Sequence, residues 1–180
     1  RLIRHPLGFW QVRDMPDAAA LKDYYERRYF QTARSNYRPS YAADERAWFD
    51  IKTERMAAAI AAVRGSTPGR LLDVGCGEGF AMNWFARCGW SVQGLDFSRA
   101  GMEAMNPQLL GQLRTGDVHQ LRSDAIDQGE RHDVLWLTNV LEHVRDPLGL
   151  LQKLRRLVGA GGVLVVTVPN DGSAWQELLF

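Results

Sequence analysis

The chain has 180 residues, 46% of them hydrophobic and 24% charged, with a formal net charge of +1. That size and balance suit one soluble globular domain with its own core, and a near-neutral charge gives no footing for nucleic acid as a partner. No apolar run approaches the roughly 18 residues of a membrane span, RLIRHPLGFW lacks the apolar core of a signal peptide, and Cys76 and Cys88 cannot build a disulfide framework, so a reducing cytoplasm is the expected compartment.

The chain changes character near residue 65. Residues 1–64 are rich in Tyr, Trp, Arg and Ala and carry no strand period, so they read as an N-terminal helical cap or lid. Within them Asp17–Tyr29 predicts a helix, Gln31–Ser40 a loop broken by Asn36, Pro39 and Ser40, and Lys52–Val63 a helix with Met56, Ile60 and Val63 on one face. Tyr24–Tyr41 interleaves tyrosines with Arg27, Arg28, Arg34 and Arg38, a composition that suits a lid or a solvated charged face.

Residues 65–180 alternate strand and helix. Arg70–Val74 predicts the first strand, Phe80–Cys88 a helix stopped by Gly89, and Ser91–Leu95 the second strand, with Ser98 placed to cap the next helix. A third strand is weak, near Gln112–Thr115, and Asp133–Thr138 is the fourth. Asp146-Pro147 starts a helix running to about Val158, ended by Gly159, Gly161 and Gly162, and Val163–Val168 is the fifth strand. Continuous apolar strands between helices imply an α/β fold: a doubly wound, Rossmann-like, mostly parallel sheet with helices on both faces. Only Gly172–Phe180 then remain, too few for further strands, so a sixth and a seventh are expected to be absent from this chain, by truncation or an abbreviated sheet.

The chemistry begins at Asp73-Val74-Gly75-Cys76-Gly77-Glu78-Gly79, where a strand runs into a glycine-dense turn and then a helix. Glycines there admit positive φ and let a ligand approach the backbone, at the strand end where open α/β sheets bind ligands. A dinucleotide fingerprint needs glycine where Phe80 stands, and no G-K-[ST] follows to make a phosphate loop. The turn followed by Asp133–Pro147 (DVLWLTNVLEHVRDP) and Gly161–Asn170 (GGVLVVTVPN) resembles class I S-adenosylmethionine-dependent methyltransferases of the small-molecule type, including ubiquinone-biosynthesis O-methyltransferases. The resemblance covers about residues 69–171, and the tyrosine-rich N-terminus is similar, more loosely, to the cap of sugar and polysaccharide methyltransferases.

The resemblance implies S-adenosylmethionine as cofactor and assigns its site. Asp73 would hold the methionine end, with Gly75, Cys76, Gly77 and Gly79 making room for it. Asp96, ending the second strand, would accept the ribose hydroxyls, with Phe97 against the adenine. Asp117 and Val118 would meet the adenine edge, and Thr138 and Asn139 the methionine part. For a hydroxyl acceptor a base is needed. His143, just past the fourth strand, is the first candidate, and Glu142 the second, as a base or a ligand of a divalent metal as in the quinone enzymes. His119 is a distant third. No residue set resembles a zinc site. The expected activity is methyl transfer to a small molecule, such as a hydroxyl of a sugar, a polysaccharide precursor or a quinone-like compound. A non-catalytic cofactor-binding protein, a nicotinamide-dependent oxidoreductase and a nucleic-acid methyltransferase stay open, although Phe80 disfavours the second, and balanced charge without an N/D-P-P-Y/F run disfavours the third.

Overall fold

A computed structural model describes residues 2–27, 40–116 and 129–169. The chain opens with a small antiparallel hairpin, β1 (Leu2–Arg4) and β2 (Trp10–Val12), turned by the left-handed Gly8. Helix α1 (Ala18–Arg27) follows, its first turn capped by Asp17, whose carboxylate accepts the Ala20 N–H at 2.8 Å. Helix α2 (Ala43–Arg64) is longer than its predicted Lys52–Val63 core. Its alanine-rich sequence favours helix, Glu45 reaches back to accept the Ala42 N–H at 2.9 Å, and Gly65 ends it.

The main body is one parallel sheet of five strands in the order β5-β4-β3-β6-β7. They are β3 (Arg70–Val74), β4 (Ser91–Asp96), β5 (Leu113–Thr115), β6 (His132–Thr138) and β7 (Val158–Thr167). Among the described residues three helices connect them: α3 (Phe80–Arg87), α4 (Ala100–Met105) and α5 (Pro147–Arg155). Seven strands are therefore present among the described residues, which corrects the expectation that a sixth and a seventh are missing from the chain. Two of the seven stand apart as the N-terminal hairpin, where the sequence suggested only helix and loop. Strands of three residues are too short for a two-residue period to declare itself.

A second correction concerns the glycines after α5. They do not terminate that helix, which stops at Arg155, but lie inside β7, where the register with β6 shifts between His132 and Val134. A Cβ on Gly162 would stand 2.9 Å from the Asp133 carbonyl oxygen, so the irregular pairing needs a residue without one. Asp146 caps α5 as expected, accepting the Gly149 N–H at 2.8 Å.

Alternation along β3 feeds two cores. Leu71 packs with Ile60 of α2 and Met82 and Phe85 of α3. Leu72 and Val74 point the other way, onto Leu150, Leu154 and Leu157. Strand order reverses between β3 and β6, and at such a switch point the carboxyl strand ends leave a crevice.

Candidate functional site

The crevice is shaped by the turn after β3. Gly75 and Gly77 adopt φ of 75° and 53°, and Gly79 at 75° leads into α3. A side chain at Gly75 would run into Val140 in the turn after β6, so glycine is required there for space as well as for backbone conformation. The turn is tied to β4: the Gly75 N–H donates to the Leu95 carbonyl at 2.7 Å, and the Gly77 N–H donates to Asp96 Oδ2 at 2.8 Å. The other Asp96 oxygen accepts the Ser98 N–H at 3.0 Å. Gly94, in the middle of β4, is a requirement that the motif did not reveal. A Cβ there would stand 2.7 Å from both the Cys76 and the Met82 sulfurs, which pack over it.

Above the turn lies a cavity of about 530 Å³. One wall is the turn itself with Asp73. A second comes from the end of β6 and beyond: Trp136, Thr138, Asn139 and His143. The third is α2 and the residues before it, with Tyr41, Glu45, Phe49, Lys52 and Thr53 facing Phe80 at the start of α3. Phe49 and Phe80 stack with centroids 4.2 Å apart, and Tyr41 sets its edge on both.

The electrostatics are dominated by three buried carboxylates, Asp73, Glu78 and Asp96. Burial, reinforced by repulsion from Asp96, raises Asp73 from an ordinary 3.8 to about 8. Burial raises Glu78 to about 7, against a lowering hydrogen bond donated by the Tyr41 hydroxyl. Asp96 is also raised by burial, opposed by the N–H groups of Ser98, Gly77 and Phe97. The Cys76 thiol is pushed up by burial and by Asp73 and Asp96, which favours its protonated form. Across the cavity, the Thr138 hydroxyl is buried with no hydrogen-bond partner among the described residues. Asn139 follows in a left-handed conformation (φ 54°) that asparagine tolerates.

Of the residues singled out from the sequence, Asp73, Gly75, Cys76, Gly77, Gly79, Thr138, Asn139 and His143 all border this one cavity. Asp96 stands behind the turn as its anchor, and Phe97 packs at the edge of the second core. Glu142 lies in the 3-10 turn Leu141–His143, outside the lining, its Oε1 3.7 Å from His143 Nε2. Asp117, Val118 and His119 lie outside the described residues, as does most of Gln31–Ser40. Sequence reasoning did not anticipate the α2 wall or Glu78. Lys52 and Phe49 are spaced along a helix whose pattern shows that one face is covered, but not by what. No group of three or more metal-ligating side chains is found among the described residues.

A family model described as a methyltransferase domain matches residues 43–179. Over 116 residues the chain is 34% identical to a ubiquinone biosynthesis O-methyltransferase of Proteus mirabilis, covering 61% of this chain and 46% of that protein. A Klebsiella pneumoniae protein of the same name is 36% identical over 112 residues, 59% of this chain and 45% of its own length. The chain thus spans about half the length of the curated relatives it matches. Among solved structures, the amino pentose methyltransferase CalS10 from Micromonospora echinaspora, bound to S-adenosylmethionine, superposes with a TM-score of 0.56 at 25% identity, covering 74% of this chain and 59% of that one. A S-adenosylmethionine-dependent methyltransferase from Archaeoglobus fulgidus shares the fold with a TM-score of 0.59 at 17% identity, over 72% and 57% of the two chains.

Proposed function

The chain belongs to the methyltransferase-domain family, and from that premise we propose that it moves a methyl group from S-adenosylmethionine to a hydroxyl of a small molecule. The observation that carries this reading is the cavity at the switch point, with Asp73, the glycine turn and Thr138 on its walls. The donor set fits the cofactor. A zwitterionic amino-acid end with a sulfonium beside it carries two positive centres and one negative. Asp73 suits the ammonium and Lys52 the carboxylate, and the unpartnered Thr138 hydroxyl is free to pair with either. Asp96 has lone pairs left for ribose hydroxyls beside its bonds from backbone N–H groups. A bound cation would offset, by its charge, the desolvation that raises Asp73 to about 8.

When bound, the cofactor supplies an activated methyl on sulfur, so the protein's task is alignment and exclusion of water. Well-held reactants gain on the order of 7–11 kcal/mol from orientation. We assign that task to the α2 wall, with residues 1–64 acting as the cap. His143 borders the cavity and takes the proton of the acceptor hydroxyl, with Glu142 Oε1 3.7 Å from its Nε2. A hydroxyl of a quinone-like compound or a sugar is the acceptor class we favour. The relatives named ubiquinone biosynthesis O-methyltransferase support the former, and the amino-sugar neighbour keeps the latter in view. Free Cys76 and Cys88 suit the cytoplasm as the compartment.

Titration calorimetry with S-adenosylmethionine, S-adenosylhomocysteine and NAD tests the cofactor. The first two bind and the third does not; binding of NAD alone overturns the reading. With a phenolic and sugar panel, His143→Ala lowers turnover by about 10²–10⁴-fold and leaves cofactor affinity unchanged. A parent and variant that share the same rate and acid limb exclude His143 as the base.

A further inference from the structure

Glu78 has no part in the reading above, yet it is a buried carboxylate on the wall of the same cavity. Its backbone is held on both sides. The Asn106 side-chain amide donates to the Glu78 carbonyl at 2.7 Å, and the flanking Gly77 donates to Asp96. Its carboxylate accepts the Tyr41 hydroxyl, and Tyr41 is itself fixed edge-on against Phe49 and Phe80. A charge so held cannot swing out to water, so its field acts on whatever fills the cavity.

We propose that Glu78, tethered by Tyr41, is the residue by which this site discriminates the positively charged sulfonium cofactor from its uncharged-sulfur product. The inference rests on the cofactor assignment above and adds a specificity role to it. Cofactor and product differ by one methyl group and one unit of charge. A methyl offers little to a wide cavity, whereas a fixed anion senses the charge directly. Asp73 and Asp96 are poorer discriminators. Burial holds Asp73 toward its protonated form at neutral pH, its pKa raised to about 8, and Asp96 stands behind the turn, outside the cavity lining, with its oxygens turned to backbone N–H groups. Glu78 changes charge at about 7, so its discrimination switches on as pH rises through neutrality. Among the described residues, the other charged or titratable groups facing the cavity are Tyr41 before α2, Glu45 and Lys52 of α2, Asp73 of β3, Cys76 in the turn and His143 after β6, with Asp96 behind the turn.

The test measures dissociation constants of S-adenosylmethionine and S-adenosylhomocysteine by calorimetry from pH 6 to 8.5, for the parent chain, Glu78→Gln and Tyr41→Phe. In the parent, the preference for the sulfonium form grows about fivefold across this range, the order expected of one charge acting over several ångströms of partly solvated space. Glu78→Gln flattens that growth. Tyr41→Phe removes the bond that favours the ionised carboxylate and so moves the rise to higher pH, an effect that a merely structural tyrosine would not produce. A rise that persists in Glu78→Gln belongs to His143 or Asp73 and overturns the proposal, as does an unshifted midpoint in Tyr41→Phe. Should the parent bind neither compound, the cofactor assignment itself fails. Loss of folding in Glu78→Gln shows in circular dichroism, and Tyr41→Phe, which keeps the ring cluster, then decides alone.

Discussion

The two ends of the parallel sheet solve opposite electrostatic problems. At the amino end, Asp133 is paired twice, accepting the Arg70 N–H at 2.7 Å and standing 3.5 Å from the Arg64 guanidinium. Beside it His132 is buried, its ring nitrogens lack a hydrogen-bond partner among the described residues, and burial, reinforced by Arg70, lowers its pKa below the ordinary value. At the carboxyl end, Asp73 and Glu78 are buried carboxylates with raised pKa values, and the side chain that faces Glu78 is a hydroxyl rather than a cation. One end is arranged for a neutral, closed structure. The other holds acidic groups that a positive ligand would satisfy. Local stability is given up at the candidate site.

The largest way to break this contrast is at the glycine turn. Gly77→Val places a β-branched side chain at φ 53°. Cofactor affinity is expected to fall by about a hundredfold or more, because the strained backbone draws the Gly77 N–H away from Asp96. Calorimetry on the folded variant is the check, and retained affinity would make the turn purely structural. Next in size is Asp96→Ala, which loses the charge-assisted bonds from the Gly77 and Ser98 N–H groups as well as the proposed ribose contacts. At roughly 1.5–3 kcal/mol per bond to a charged group, affinity drops at least tenfold and the melting temperature falls with it. An unchanged melting temperature would show that the bonds to Gly77 and Ser98 do not hold the turn.

Two smaller effects sharpen the comparison through pH. Folded Asp73 keeps its proton up to about pH 8, whereas the unfolded chain releases it near 3.8. Its contribution therefore weakens stability as pH rises through that window. Asp73→Asn should stabilise the cofactor-free chain above neutrality, on the order of 2 kcal/mol, while impairing cofactor binding. Urea unfolding at pH 6 and 8.5 measures it, and a parent whose stability difference matches that of the variant removes Asp73 as the source. His132 works in the reverse direction. Its depressed pKa means the unfolded chain takes up protons first, so stability falls as pH drops below about 6.5. His132→Phe fills a similar volume without the polar nitrogens, and should flatten the acid side of the profile with cofactor affinity intact. If acid sensitivity is unchanged, another group carries it.

Much of this molecule is readable from local signals. Arg70–Val74 is found with the predicted bounds because a short apolar run ending at glycines has few other fates. The turn at Gly75–Gly79 and the Asp146-Pro147 cap are also local, since each depends on backbone conformations that only a few residue types permit. Failures fall where a neighbour decides. Gly159–Gly162 look like a helix stop, but pairing with β6 draws them into a strand. The hairpin strands are too short to leave a period.

At the candidate site, the sequence by itself pointed to residues next to the strand ends, Asp73, Thr138 and Asn139 through the family resemblance and His143 through its place after the fourth strand, and they border one cavity because a parallel sheet brings its carboxyl ends to one edge. Only the tertiary structure decided that α2 supplies the facing wall, that Asp96 braces Gly77, and that Glu78 is buried under Tyr41. The physical reason is range. Backbone conformation and periodicity are properties of a few consecutive residues, whereas burial, and the pKa values that follow from it, are set by side chains that packing brings together from distant parts of the chain.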